Sequence, residues 1–166
     1  MRNALSPEDL KKIIDKCALD AKTLVNKLNQ PECLKLGDLY THGSGRTVKR
    51  KHAIPKDWLS NNGTEITGLY LFGEEVENGQ IIPLYTGISR TVFRRLRQHG
   101  WGKSKSEASF AYRLSNRNID GLPAMQSKIK QLRVVVLPIK DDDELYISEF
   151  VVAKLLNTAH NEFRTH

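Results

Sequence analysis

A hairpin signal between residues 65 and 87 constrains this chain more than any other feature. Two runs rich in β-branched and aromatic residues, "EITGLYLFG" and "QIIPLYTG", flank Asn78-Gly79. Asn-Gly between two such runs marks an antiparallel hairpin. With Asn78-Gly79 as a two-residue turn, counting outward pairs Tyr70 with Gly87. Side chains alternate along a strand, so Tyr70 and Tyr85 share a face as diagonal neighbours, ~7–8 Å apart at Cα. The glycine opposite Tyr70 leaves an open spot beside both phenols. Pro83 has no N–H to give to a ladder, which predicts an edge strand or a bulge at that point.

The rest of the chain supplies helices for this hairpin to pack against. Ser6-Pro7-Glu8-Asp9 has an N-cap residue, a proline at the first helical position and acids in the first turn. Leu10, Ile13, Ile14, Cys17, Ala21, Leu24, Val25 and Leu28 then recur at helical spacing, and this helix ends before Pro31. Residues 37–64, rich in Gly, Ser, Asn and basic residues, read mostly as loop. Helices are expected from about Ser89 to His99, around 107–117 and near 122–131. "RVVVLPI", 133–139, reads as a third strand. The last helix covers 141–157, with aspartates at its N-terminus complementing the dipole. The expected fold is α+β: a small antiparallel three-stranded sheet flanked by helices. Residues 1–64 form an N-terminal helix and basic-loop extension, and 65–166 the main domain.

At 166 residues the chain accommodates one full core with an extension. Hydrophobic residues at 39% and charged residues at 27% place it among globular rather than disordered chains. No apolar run approaches the ~20 residues of a membrane span. The N-terminus lacks the apolar stretch of a signal peptide, so the chain reads as cytoplasmic, with Cys17 and Cys33 reduced. A zinc site from Cys33, His42 and His52 would have a spacing that matches no finger or ribbon.

Charge is distributed unevenly. The 26 Lys+Arg against 19 Asp+Glu give +7. From Ser89 to Asn118 stand Arg90, Arg94, Arg95, Arg97, Lys103, Lys105, Arg113 and Arg117, with Glu107 the one acid. Residues 45–56 carry Arg46, Lys49, Arg50, Lys51 and Lys56 with no acid. Two long acid-poor segments favour a polyanion partner, most often nucleic acid. Trp101, Phe110 and Tyr112, interleaved with the second segment, read as core or loop anchors rather than base-stackers.

Two helices carry polar residues where apolar ones are expected. At 100° per residue, Val92, Arg95, Leu96 and His99 share one side of the helix after the hairpin, while Arg94 and Arg97 point away and read as solvated or phosphate-facing. Arg95 and His99, four apart, are neighbours at the border of the buried face. In the last helix, Glu149 falls within the apolar stripe of Leu145, Val152 and Leu156, opposite Lys154. A carboxylate there needs a partner or a metal. An ion pair with an arginine at the core edge is the plain alternative.

In order and spacing, Gly68-Leu69-Tyr70, Tyr85-Thr86-Gly87, Arg95, His99 and Glu149 resemble the GIY-YIG nuclease superfamily over about residues 65–163. Its arginine typically lies eight residues after the second-motif glycine, as Arg95 lies after Gly87, and in some members a histidine follows four later. Its glutamate is often followed twelve residues on by an asparagine, where Asn161 stands. Leu69 and Thr86 replace the motif isoleucines, residues 100–130 match no family element, and residues 1–64 lie outside the resemblance.

The resemblance implies a DNA endonuclease that hydrolyses phosphodiester bonds with one Mg²⁺ (or Mn²⁺) held by Glu149. It makes Arg95 the group that stabilises transition-state charge and one of Tyr70 and Tyr85 the general base. His99 orients the other phenol or relays a proton, and Asn161 holds the site's hydrogen bonds. Arg46, Lys49, Arg50, Lys51, Arg94, Arg97, Lys103, Lys105, Arg113 and Arg117 are the expected DNA contacts. Restriction, mobile-element and structure-specific repair roles all fit, and restriction would favour a homodimer. The alternatives are a non-catalytic nucleic-acid-binding module on the same fold and an RNA-directed nuclease.

Overall fold

The computed structural model of the protein describes residues 4–42, 48–50, 54–58 and 65–161. Helix α1 (Pro7–Leu28) starts where the cap signals place it, with Ser6 Oγ accepting from the Asp9 amide at 3.1 Å. The stretch read mostly as loop holds more structure than that. A 3₁₀ turn (Leu36–Leu39) leads into β1 (Tyr40–His42), which pairs antiparallel with β2 (Val48–Arg50), and a second 3₁₀ turn covers Lys56–Trp58. Strands of three residues are too short for a period to show, which is why the sequence pattern does not reveal them. Strands β3 (Gly68–Glu75) and β4 (Ile81–Ser89) form the hairpin, and β5 (Arg133–Pro138) pairs with β3 on its other side, all antiparallel. Helices α2 (Val92–Trp101), α3 (Ser109–Leu114), α4 (Leu122–Gln131) and α5 (Asp142–Leu156) complete an α+β fold. Helix α2 begins three residues later than expected because Ser89 Oγ accepts from the Thr91 amide at 3.0 Å and holds a turn there.

The hairpin reaches the expected register by an unexpected route. Its turn has three residues between Val76 and Gln80, whose backbones are bonded at 2.9 Å, and Gly79 takes a left-handed φ of 78°. That turn alone would set Tyr70 against Thr86 and send Tyr85 to the opposite face. A bulge at Leu84 restores the count: Gly73 faces Pro83, Phe72 faces Tyr85, and Tyr70 faces Gly87. An extra residue in one strand flips the faces of those beyond it, so the two irregularities cancel. Pro83 thus sits both on an edge strand and at a bulge.

Helices cover both faces of the sheet. On one, Tyr70, Phe72, Tyr85, Val134 and Val136 pack against Leu36, Leu39, Val92, Leu96, Phe110 and Ile129. On the other, Leu69, Leu71, Ile81 and Val135 meet Ala21, Leu24 and Leu28 of α1 and Leu145 and Val152 of α5. The near-continuous apolar runs of β3 and β5 follow from burial on both sides. Lys16 Nζ joins Glu144 and ties α1 to α5. Both cysteines are free. Cys17 is buried, and burial pushes its thiol up to about 11.

Irregular chain covers both outer strands. The His160 amide donates to the Leu84 carbonyl at 3.1 Å beside β4, and the Val134 amide donates to the Leu34 carbonyl at 2.9 Å beside β5. Among the described residues no helix is long and apolar enough to cross a membrane.

Candidate active site

Tyr70, on the central strand, is almost wholly enclosed, and its ring lies directly over Gly87. A Cβ built at Gly87 would stand 2.4 Å from the Tyr70 hydroxyl oxygen. The glycine is what lets the phenol lie there. Helix α2 delivers His99, also fully buried, so that its Nε2 lies 2.8 Å from Tyr70 Oη. Burial holds His99 well below the usual imidazole range, with Arg95 and Arg113 adding to the effect, and holds Tyr70 well above the usual phenol range. Both groups are neutral at neutral pH. His99 Nδ1 has no hydrogen-bond partner among the described residues. An orphaned acceptor is tolerated better than an orphaned N–H, which puts the proton on Nε2, donating to Tyr70. Tyr85 adds to the rise of Tyr70, and the charge of Arg95 opposes it.

Tyr85 shares the face as expected, its ring centroid 6.2 Å from that of Tyr70. Phe110 of α3 stacks on it at 4.4 Å. One helical turn further, Arg113 sets its guanidinium 5.3 Å from the same ring centroid, a cation–π distance.

Arg95 occupies the border position predicted for it, and its donors are directed at the chain. Nη1 donates to the Glu107 carbonyl at 2.9 Å, the Ser106 carbonyl at 3.4 Å and Gln98 Oε1 at 3.3 Å, and Nη2 donates to Ser109 Oγ at 2.5 Å. The side chain therefore fastens α2 to the start of α3. Glu65, which no motif singles out, caps α2 from outside it: its carboxylate accepts from the amides of Phe93 at 2.6 Å and Arg94 at 3.2 Å. No sequence signal reveals a cap supplied from so far upstream.

Glu149 borders the buried stripe of α5 rather than lying at its centre. Ser148 is the buried polar residue there, its hydroxyl donating to the Leu145 carbonyl at 2.7 Å. Glu149 is half-buried. Its burial raises the carboxyl above its usual range, and the charge of Arg113 opposes that rise. Arg113, expected from the sequence as an outlying DNA contact, therefore lies against Tyr85, and its charge reaches Glu149.

Asn161 makes the pair of bonds a neighbouring strand would make. Its Oδ1 accepts from the Thr86 amide at 2.9 Å and its Nδ2 donates to the Thr86 carbonyl at 2.7 Å, while Thr158 Oγ1 donates to Oδ1 at 2.7 Å. The residue between Tyr85 and Gly87 is held from outside the sheet.

Of the remaining basic residues, Arg94, Lys103, Lys105 and Arg117 are exposed and Arg97 is half-exposed. Lys49 and Arg50 lie on β2, and Arg46 and Lys51 fall outside the described residues. Phe110 belongs to the core, and Trp101 packs edge-on against Tyr40 with Lys130 over its ring. His52 of the zinc alternative also lies outside the described residues. Among those described, no three His, Cys, Asp or Glu side chains group as a metal site. A single half-buried carboxylate such as Glu149 fits a hard ion that keeps most of its shell for water and phosphate. No protein-family model, no curated protein and no solved structure matches the chain.

Proposed function

We propose that the protein is a metal-dependent endonuclease of the GIY-YIG type, hydrolysing DNA phosphodiester bonds. The observation that supports this reading is the cluster at Gly87: two tyrosines, a neutral histidine and two arginines arrive from β3, β4, α2 and α3, with Glu149 of α5 within the field of Arg113. Water attacks phosphorus, the bond to the leaving oxygen breaks, and that oxygen takes up a proton. Tyr70, kept protonated by burial and accepting from His99 Nε2, keeps its one O–H to donate and fixes the site's geometry. Tyr85 relays the proton of the attacking water to solvent, accepting it on Oη as its own hydroxyl proton leaves. Arg95 contributes positive charge beside Tyr70. Glu149 would hold Mg²⁺ or Mn²⁺, which when bound supplies positive charge to the phosphate.

A second reading is a non-catalytic nucleic-acid-binding module, favoured by the complete burial of His99 and the engagement of Arg95 with the 106–109 segment. Incubation with supercoiled plasmid, and in parallel with duplex RNA, in Mg²⁺ and in EDTA separates them. Mg²⁺-dependent nicking or linearisation of the plasmid supports the endonuclease. Binding without cleavage supports the module, and cleavage of RNA alone moves the substrate class. Restriction-type cleavage would further require a homodimer, read from its mass in solution.

A further inference from the structure

We propose that Thr86 is a positioning residue of this centre, its buried hydroxyl bracing β4 against β3 beside Gly87; its effect on cleavage rests on the endonuclease reading. The need for a brace follows from the site itself. Tyr70 lies over Gly87, where a Cβ would stand 2.4 Å from its hydroxyl oxygen, so position 87 has no room for a side chain. A glycine inside a strand has nothing to pack and more backbone freedom to lose, which weakens the strand at that point. Gly87 also lies on an outer strand, just past the bulge at Leu84.

Thr86 is fully buried, and its side chain alternates with that of Tyr85 onto the face formed by Leu69, Leu71, Ile81 and Val135. A hydroxyl on so apolar a face costs stability unless it is bonded. Thr86 Oγ1 donates across the strands to the Tyr70 carbonyl at 3.0 Å. The isoleucine of the motif would fill the same space without that bond. From the outer side, Asn161 holds the Thr86 backbone, and Thr158 Oγ1 fixes the Asn161 carboxamide at 2.7 Å. Backbone groups alternate along a strand, so with those of Thr86 turned out to Asn161, the Gly87 amide turns in toward its partner Tyr70. Thr86 thus ties the strand of Tyr70 to the segment after α5, with Gly87 held between those ties.

The test is single-turnover cleavage of a fluorescent duplex in Mg²⁺ by wild type, Thr86→Val and Thr86→Ser, with melting temperatures and amide exchange measured on the same proteins. Valine keeps the branched shape and deletes the hydroxyl, whereas serine keeps the hydroxyl and deletes a methyl. Thr86→Val is expected to cut ~10–10²-fold more slowly at saturating DNA, with the half-saturating concentration held within about twofold. Its Gly87 amide is expected to exchange roughly tenfold faster. Thr86→Ser is expected to keep rate and protection within about threefold while melting no higher than Thr86→Val, so that rate and stability order the two variants oppositely. A wild-type rate in Thr86→Val, unchanged Gly87 protection in it, or rates that follow melting temperature instead of the hydroxyl overturns the assignment. Should Thr86→Val fail to fold, Thr86→Ala replaces it: the same losses support the brace, and a rate equal to that of Thr86→Ser overturns it. A wild type that binds the duplex and cuts nothing overturns the endonuclease reading alone, and Gly87 exchange then decides the brace.

Discussion

Tyr70 and His99 share one hydrogen bond, and burial biases each against its charged form. Below about pH 6.5 the unfolded chain binds a proton on His99 that the native chain refuses, so stability falls as pH falls. Above about pH 10 the unfolded chain releases a Tyr70 proton that the native chain keeps, so stability falls as pH rises. Each group contributes a slope of at most ~1.4 kcal/mol per pH unit. Urea unfolding of wild type and His99→Gln should therefore show a stability difference that shrinks on going from about pH 7 to about pH 5. A difference independent of pH would mean that folding does not shift His99, and one that grows toward pH 5 would mean that His99 is charged in the fold. Two glycines of the hairpin give a second contrast. Gly87→Ala drives a methyl into Tyr70 and should cost ~1–3 kcal/mol of overpacking, with cleavage falling far more than stability. Gly79→Ala meets no atom within 4 Å and carries only its left-handed φ of 78°, so it should cost about 1–2 kcal/mol and leave cleavage intact.

The hairpin and the C-terminal segment act together as one element. Asn161 closes both backbone bonds of Thr86, a buried residue between Tyr85 and Gly87. Asn161→Ala leaves a buried amide and carbonyl without those partners and should cost about 1–3 kcal/mol. Hydrogen exchange checks it directly: the Thr86 amide should exchange faster in the variant, while Leu71 in the central strand should not change. What the sequence allows to be read divides along the same line. Ser6 as a cap, the β3 and β4 runs, β5 and the shared face of Tyr70 and Tyr85 are local or periodic, so period and propensity report them. The three-residue turn is not visible in the pattern and Pro83 points to an edge strand or a bulge without choosing between them; the register survives because the two offsets cancel. Periodicity gives the side on which Glu149 and Arg113 lie, but whether the charge of Arg113 reaches Glu149 depends on how α3 and α5 approach β4. The same holds for Glu65 capping α2. Contacts between distant segments leave no trace in spacing.

At the scale of the whole molecule, the endonuclease reading takes the exposed cations of α2 and of the loop after it as the surface offered to a polyanion. Replacing Lys103 and Lys105 with Gln should weaken duplex binding and flatten the log–log salt dependence by ~0.9 for each phosphate no longer neutralised. Turnover at saturating DNA should be unchanged, since both side chains are exposed and neither touches the Tyr85 cluster. Binding titrations over a range of salt measure the slope, and an unchanged slope would return the loop to bulk solvent. The segment after α5 carries a different consequence. A three-stranded sheet has two outer strands, each a template on which another chain can add. Here Asn161 and the His160 amide occupy the outer edge of β4 at Thr86 and Leu84. A chain shortened to end at Asn157 would present that edge bare and should self-associate edge to edge. Its elution volume on a sizing column should therefore shift with concentration, whereas that of the full chain should not.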